Sequence, residues 1–124
     1  MLRNKITAAL VGLCSILGVM AIAPSAHAVD RTCYDGYFCI YKDRDFSTSN
    51  SMYRTNYESA RWDIDMPAVY ENDSSWRNRR AQASKTYTAS HMVGLELCVV
   101  GGGQVNYYYW ANDDGASHQL NESC

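Results

Sequence analysis

Beyond Val29 no stretch of this chain holds apolar residues at i, i+3, i+4 and i+7 for even ten residues, and that absence constrains the fold more than any other feature. What recurs is short alternation broken by polar turns, the pattern of strands. Tyr37 to Tyr41 puts Tyr37, Cys39 and Tyr41 on one face and Phe38 and Ile40 on the other. Met52 to Thr55 reads as a second strand. Trp62, Ile64 and Met66 alternate with Asp63 and Asp65 until Pro67 stops the run. Lys85 to Thr88, Leu95 to Val100 and Val105 to Trp110 follow. Turn clusters separate them at Ser47–Ser51, Glu71–Ser75, the Gly101-Gly102-Gly103 triplet and Asn112–Gly115. Fifteen aromatics, ten of them Tyr, agree with a β-rich composition. Seven or eight short strands predict a sandwich or barrel with Greek-key links.

The first 28 residues read as a leader. Arg3 and Lys5 precede an almost uncharged run from Ile6 to Ala23, and Ala26-His27-Ala28 supplies a small-x-small cleavage site. The expected product is a secreted single domain, residues 29–124, with no membrane segment after cleavage. Its net charge is more negative than the −2 of the full sequence, because Arg3 and Lys5 leave with the leader while all 13 acidic residues stay. A nucleic-acid partner is therefore not expected. Cys33, Cys39, Cys98 and Cys124 remain, an even count that predicts two disulfides with three pairings open.

Catalytic chemistry is scarce. His91 and His118 lie in no zinc-ligand spacing and read as bystanders, and no Gly-x-Ser-x-Gly elbow occurs. The Gly triplet has no Lys-Ser/Thr after it and reads as a flexible hairpin connection rather than a phosphate loop. Asp43/Asp45 and Asp63/Asp65 are i, i+2 pairs that would share a strand face; a solvated face is the plainer reading of both. Arg77, Arg79 and Arg80 read as a salt-bridging surface or a partner contact. In Tyr107–Trp110, alternation predicts about half in the core. The chain reads as a non-enzyme.

Two segments carry a family likeness. Cys33 to Phe46, with its Cys-x5-Cys opening, resembles the start of the small exported microbial peptidase inhibitors that include the streptomycete metalloproteinase inhibitor. That family has the β/γ-crystallin fold, whose motif is aromatic, four residues, aromatic, any residue, Gly. Tyr41 and Phe46 match its aromatics, with Thr48 at the Gly position. Ser74-Ser75-Trp76-Arg77-Asn78 resembles the Ser-Ser-x-x-Asn that follows a crystallin calcium loop, and Asn112 to Ser117 resembles the loop itself, with Ala116 in place of a hydroxyl ligand.

The resemblance implies an all-β, Greek-key β/γ-crystallin-like sandwich and a secreted inhibitor that occludes a protease cleft as a substrate does. Cys98-Val99 matches the inhibitory Cys-Val bond of the best-known member, so the expected reactive-site loop is Cys98, Val99 and Val100, loosened by the glycines that follow. A plain interior strand is the competing reading of Leu95–Val100. The chain departs from that member in having no second Cys within a few residues of Cys98, so Cys98 is expected to bond instead to Cys124, with Cys33–Cys39 as the other bridge. The expected partner is an extracellular protease of metallo- or serine type, met by a monomer. No cofactor is required; calcium is the one ion the likeness admits, at Asn112, Asp113 and Ser117. Alternatives are a calcium-tuned crystallin module without a protease target, an exported toxin or wall-binding module using Tyr107–Trp110 on glycans, and, least supported, a hydrolase using Asp63/Asp65.

Overall fold

The structure, a computed structural model, describes residues 31–124. The expected leader, residues 1–28, lies outside the described residues. Seven strands form two antiparallel sheets among them: β1 Phe38–Tyr41, β2 Met52–Thr55, β3 Ser75–Asn78, β4 Ala83–Ala89, β5 Val93–Val99, β6 Gln104–Val105 and β7 Ser117–Glu122. One sheet has the order β2-β1-β3-β6 and the other β5-β4-β7. Neighbours that are not consecutive in sequence, β1 beside β3 and β4 beside β7, give the Greek-key crossing between sheets. Both disulfides are those expected, Cys33–Cys39 and Cys98–Cys124.

The alternation in β1 divides the interior. Phe38 and Ile40 face the space between the sheets, where they meet Trp62, Met66, Val69, Trp76, Val99, Ala111 and Leu120. Burial of aliphatic and Phe side chains of this size contributes about 1.5–3 kcal/mol each. Cys39 and Tyr41 face the other way and form a smaller cluster with Cys33, flanked by Tyr37, Phe46 and Met52. Tyr41 and Phe46, the two aromatics of the crystallin-type motif, meet edge to face with centroids 5.7 Å apart.

Several elements differ from the sequence reading. Trp62–Asp65 is one turn of α-helix (α1), not a strand. Trp62 and Met66 are buried four residues apart while Ile64 between them is exposed, so the helical period decides. Ser59 Oγ donates to Asp65 Oδ2 at 2.5 Å, and Arg61 pairs with Asp63. In the Val105–Trp110 run only Val105 is in a strand, and the chain turns outward through a 3-10 turn at Tyr109–Ala111. Ser75–Asn78 and Ser117–Glu122 look polar in sequence but are a central and an outer strand, because their polar groups find partners inside. His118 shows how: it is fully buried rather than a surface bystander. Its Nδ1 accepts from Trp62 Nε1 at 2.7 Å, which leaves the proton on Nε2 to donate to Tyr57 O at 2.8 Å.

A bulge shapes β5. Thr86 pairs with Leu97 and Tyr87 with Leu95, so Glu96 is the extra residue. Leu97 packs against the core and Val99 is buried in it, whereas Val93 and Leu95 are exposed beyond the bulge. β5 is also a sheet edge.

Candidate functional site: the clamped turn after strand β5

The chain leaves β5 in one sheet at Val99 and enters β6 in the other at Gln104, so residues 100–103 cross between sheets. Three anchors hold that crossing. Cys98 is tied to Cys124 by a disulfide. Val99 is 2% exposed, its side chain sunk into the core. Asn78, fully buried at the end of β3, donates from Nδ2 to Val99 O at 2.9 Å and to Val100 O at 3.2 Å, with a third contact to Gln82 O at 2.9 Å. Its Oδ1 accepts from Arg80 N at 3.1 Å, so every polar atom of the side chain is used. Between these anchors the Val100 side chain stands 58% exposed.

The glycine triplet tightens the turn rather than loosening it. A Cβ on Gly101 would lie 2.0 Å from Ala81 O, and Gly102 has φ +71°, the left-handed region. Gly102 N donates to Arg80 O at 3.0 Å, Gly103 N to Val100 O at 2.9 Å, and Asn78 N to Gly103 O at 2.9 Å. Close backbone approach, not mobility, is what the small residues supply here.

A groove of about 320 Å³ adjoins the turn, lined by Asp35, Arg77, Asn78, Arg79, Gly102 and Gln104. Arg79 is ion-paired with Asp35, and Arg80 donates to Gly36 O at 2.9 Å and to Asn121 Oδ1 at 2.7 Å. Arg77 donates from Nε to Gln104 Oε1 at 3.1 Å and lies over the Phe46 ring, 4.3 Å from its centroid.

The model of peptidase inhibitor family I36 matches residues 26–99, more than half the chain. The chain belongs to peptidase inhibitor family I36. No curated protein matches it. Among solved structures it is similar to one reported on the evolution of the eye lens βγ-crystallin domain fold. There the TM-score is 0.63 at 14% identity, covering 73% of this chain and 90% of that one. A βγ-crystallin from an archaeon gives TM-score 0.52 at 11% identity over 69% and 98% of the two chains. A mutant βγ-crystallin domain from Clostridium beijerinckii gives 0.50 at 10% identity over 67% and 94%. These neighbours establish the β/γ-crystallin fold, and the family makes the chain an inhibitor rather than an enzyme. The disulfides and the family together point to an extracellular protein; among the described residues no helix is long and apolar enough to cross a membrane.

In this I36 chain the expected loop residues divide by exposure: Cys98 and Val99 close β5, and Val100 alone projects. Val100 and the glycines lie just past the segment that the family model matches. Of the residues expected at calcium, Asn112 and Asp113 are at the surface, with Asn112 Nδ2 donating to Asp113 Oδ2 at 2.6 Å. Ser117 is fully buried, and its hydroxyl donates to Ala89 O at 2.6 Å while accepting from Met92 N at 3.1 Å. Its oxygen is thus already used inside the fold. No three His, Cys, Asp or Glu gather as a metal cluster among the described residues.

The carboxylate pairs are local fixtures. Asp43 and Asp45 flank the start of a 3-10 turn and accept from Asn50 Nδ2 and Asn106 Nδ2, at 2.8 and 3.1 Å. Tyr109 and Trp110, half of the run expected to split between core and surface, are 69% and 74% exposed, and Tyr107 is covered by the Arg44 guanidinium at 3.6 Å.

Sequence reasoning did not assign two buried carboxyls. Asp73 is fully buried; Trp76 Nε1 donates to its Oδ2 at 2.8 Å and Gly115 N to its Oδ1 at 2.9 Å. Burial outweighs these donors and lifts its carboxyl to about 6. Glu96 turns inward from the bulge with both carboxyl oxygens buried. Burial first, then the charges of Asp73 and Asp114, push it up to about 8. The buried Thr86 hydroxyl beside it favours the charged form and opposes that rise without overcoming it. Asn78 belongs to the Ser-Ser-x-x-Asn pattern, but its role as a clamp depends on β3 and β5 being brought together.

Proposed function

We propose that the protein is a secreted inhibitor that occludes the cleft of an extracellular metallo- or serine protease, presenting the turn after β5 as a substrate-like segment with Val100 as its projecting side chain. The observation that carries this reading is the clamp. The Cys98–Cys124 bond, the buried Val99 and the Asn78 amide hold the backbone on both sides of one exposed aliphatic residue. A turn fixed before binding avoids the ordering cost of a flexible peptide, and a chain so held resists the rearrangement that hydrolysis needs. Family membership supplies the protease as partner. No step of this reading passes through calcium, and a monomer suffices.

The test is a titration of oxidised residues 29–124 against a thermolysin-like metalloprotease and a subtilisin-like serine protease. Stoichiometric inhibition of at least one is expected. Val100→Asp is expected to abolish it with an unchanged melting temperature, since the side chain packs against no core. Inhibition by Val100→Asp equal to the parent protein places the contact elsewhere. No inhibition of either protease by the folded parent removes the reading.

A further inference from the structure

We propose that the groove beside the turn is a receptor for a carboxylate carried by the partner protease, with the Arg77 guanidinium as its fork. This rests on the inhibitor reading for the partner's identity, though not for the carboxylate chemistry.

Three arginines cluster here, and two are already used inside the protein. Arg79 is ion-paired with Asp35, and Arg80 is bound to Gly36 O and Asn121 Oδ1. Arg77 differs. Its guanidinium donates from Nε to Gln104 Oε1, and among the described residues neither terminal nitrogen has a side-chain or backbone partner. The guanidinium is nonetheless held in place. Gln104 fixes one edge, and the Phe46 ring lies under its plane at 4.3 Å.

Phe46 is itself placed at a cost. It follows Asp45 in left-handed backbone, φ +57° after +56°, a region that strains a bulky L residue. Ser75 pins this segment to β3: its Oγ accepts from Phe46 N at 3.1 Å and donates to Asp43 O at 2.6 Å. The strained turn thus delivers a ring beneath one guanidinium whose planar fork is open. A pre-oriented guanidinium with two free terminal nitrogens matches a carboxylate in bidentate fashion. Asp35, which also lines the groove, is paired with Arg79, so Arg77 sets the groove's free charge. Gly102 belongs both to the groove and to the turn that carries Val100. An acidic side chain at the rim of a protease cleft therefore meets Arg77 when Val100 enters.

The first arm needs no protease. Sodium acetate is titrated into the folded protein against sodium chloride at equal ionic strength, following the Arg77 Nε–H and Gly102 N–H resonances. Saturable shifts with acetate only are expected at both resonances of the parent protein, with the Gly102 shift lost in Arg77→Ala. Equal responses to the two salts, or an unchanged Gly102 shift in Arg77→Ala, overturn the carboxylate site. The second arm measures Arg77→Ala against the inhibited protease. Inhibition about 10- to 100-fold weaker at low salt is expected, at unchanged melting temperature and with the gap narrowing as salt rises. Inhibition equal to the parent protein overturns the assignment of the site to the protease. If the parent protein inhibits nothing, the inhibitor reading falls, and the acetate arm alone decides the groove.

Discussion

At the scale of single residues the backbone tolerates left-handed conformations at unusual side chains. His91 and Met92, at φ +61° and +59°, make the β4–β5 hairpin turn, where two positive φ values normally call for Asn and Gly. They are held by His91 N donating to Ala60 O at 2.8 Å and Met92 N to Ser117 Oγ at 3.1 Å. Met92→Gly keeps both hydrogen bonds and removes the Cβ conflict. It is expected to raise stability by about 1 kcal/mol in denaturant unfolding. A neutral or negative change would mean that the Met92 side chain contributes packing worth as much as the conflict.

Elements bring in length and connectivity. The Cys98–Cys124 bond spans 26 residues and Cys33–Cys39 only 6. Chain entropy then favours the former, at roughly 3.5 against roughly 2.2 kcal/mol. A double Ala replacement of Cys98 and Cys124 is expected to cost more stability than one of Cys33 and Cys39, and to weaken inhibition as well, because only the longer bridge holds the turn. Calorimetry on both variants checks the order. The same scale shows what the sequence made legible. β1, β2, β4 and β5 show plain alternation, and the inward and outward faces of β1 follow from it. β3 and β7 were hidden because Ser75, Asn78 and His118 are polar residues whose partners lie in distant segments. The 62–66 run misled because residues alternating in sequence were buried at helical spacing. The glycine triplet misled for a similar reason: Ala81 and Arg80 create the crowding that only glycine fits, and nothing local announces them.

Taken whole, the molecule encloses ionisable groups whose pH effects oppose one another. Burial drops His118 to about 4 from 6.5, so the stability it preserves is present above pH 6.5 and lost as pH falls toward 4. Asp73 and Glu96 are raised, from 3.8 to about 6 and from 4.5 to about 8. Their contribution is complete below the unfolded values and is lost as pH rises through 6 and 8. Between pH 6.5 and 8 Glu96 alone of the three titrates, so melting temperature is expected to decline across that interval and level off above it. Glu96→Gln, which keeps the neutral hydrogen-bonding shape, is expected to flatten the decline; an identical slope in the variant would remove Glu96 as its source. Glu96 lies two residues before Cys98, so the same titration is expected to soften the start of the clamped turn.

The long disulfide has one more effect for a protein that works among proteases. Any single cut from residue 99 to residue 123 falls within its span, so both fragments stay covalently joined. Around the turn, Asn78 grips the carbonyls of Val99 and Val100, on either side of the Val100 side chain. A cut within the turn is therefore not loss of half the molecule.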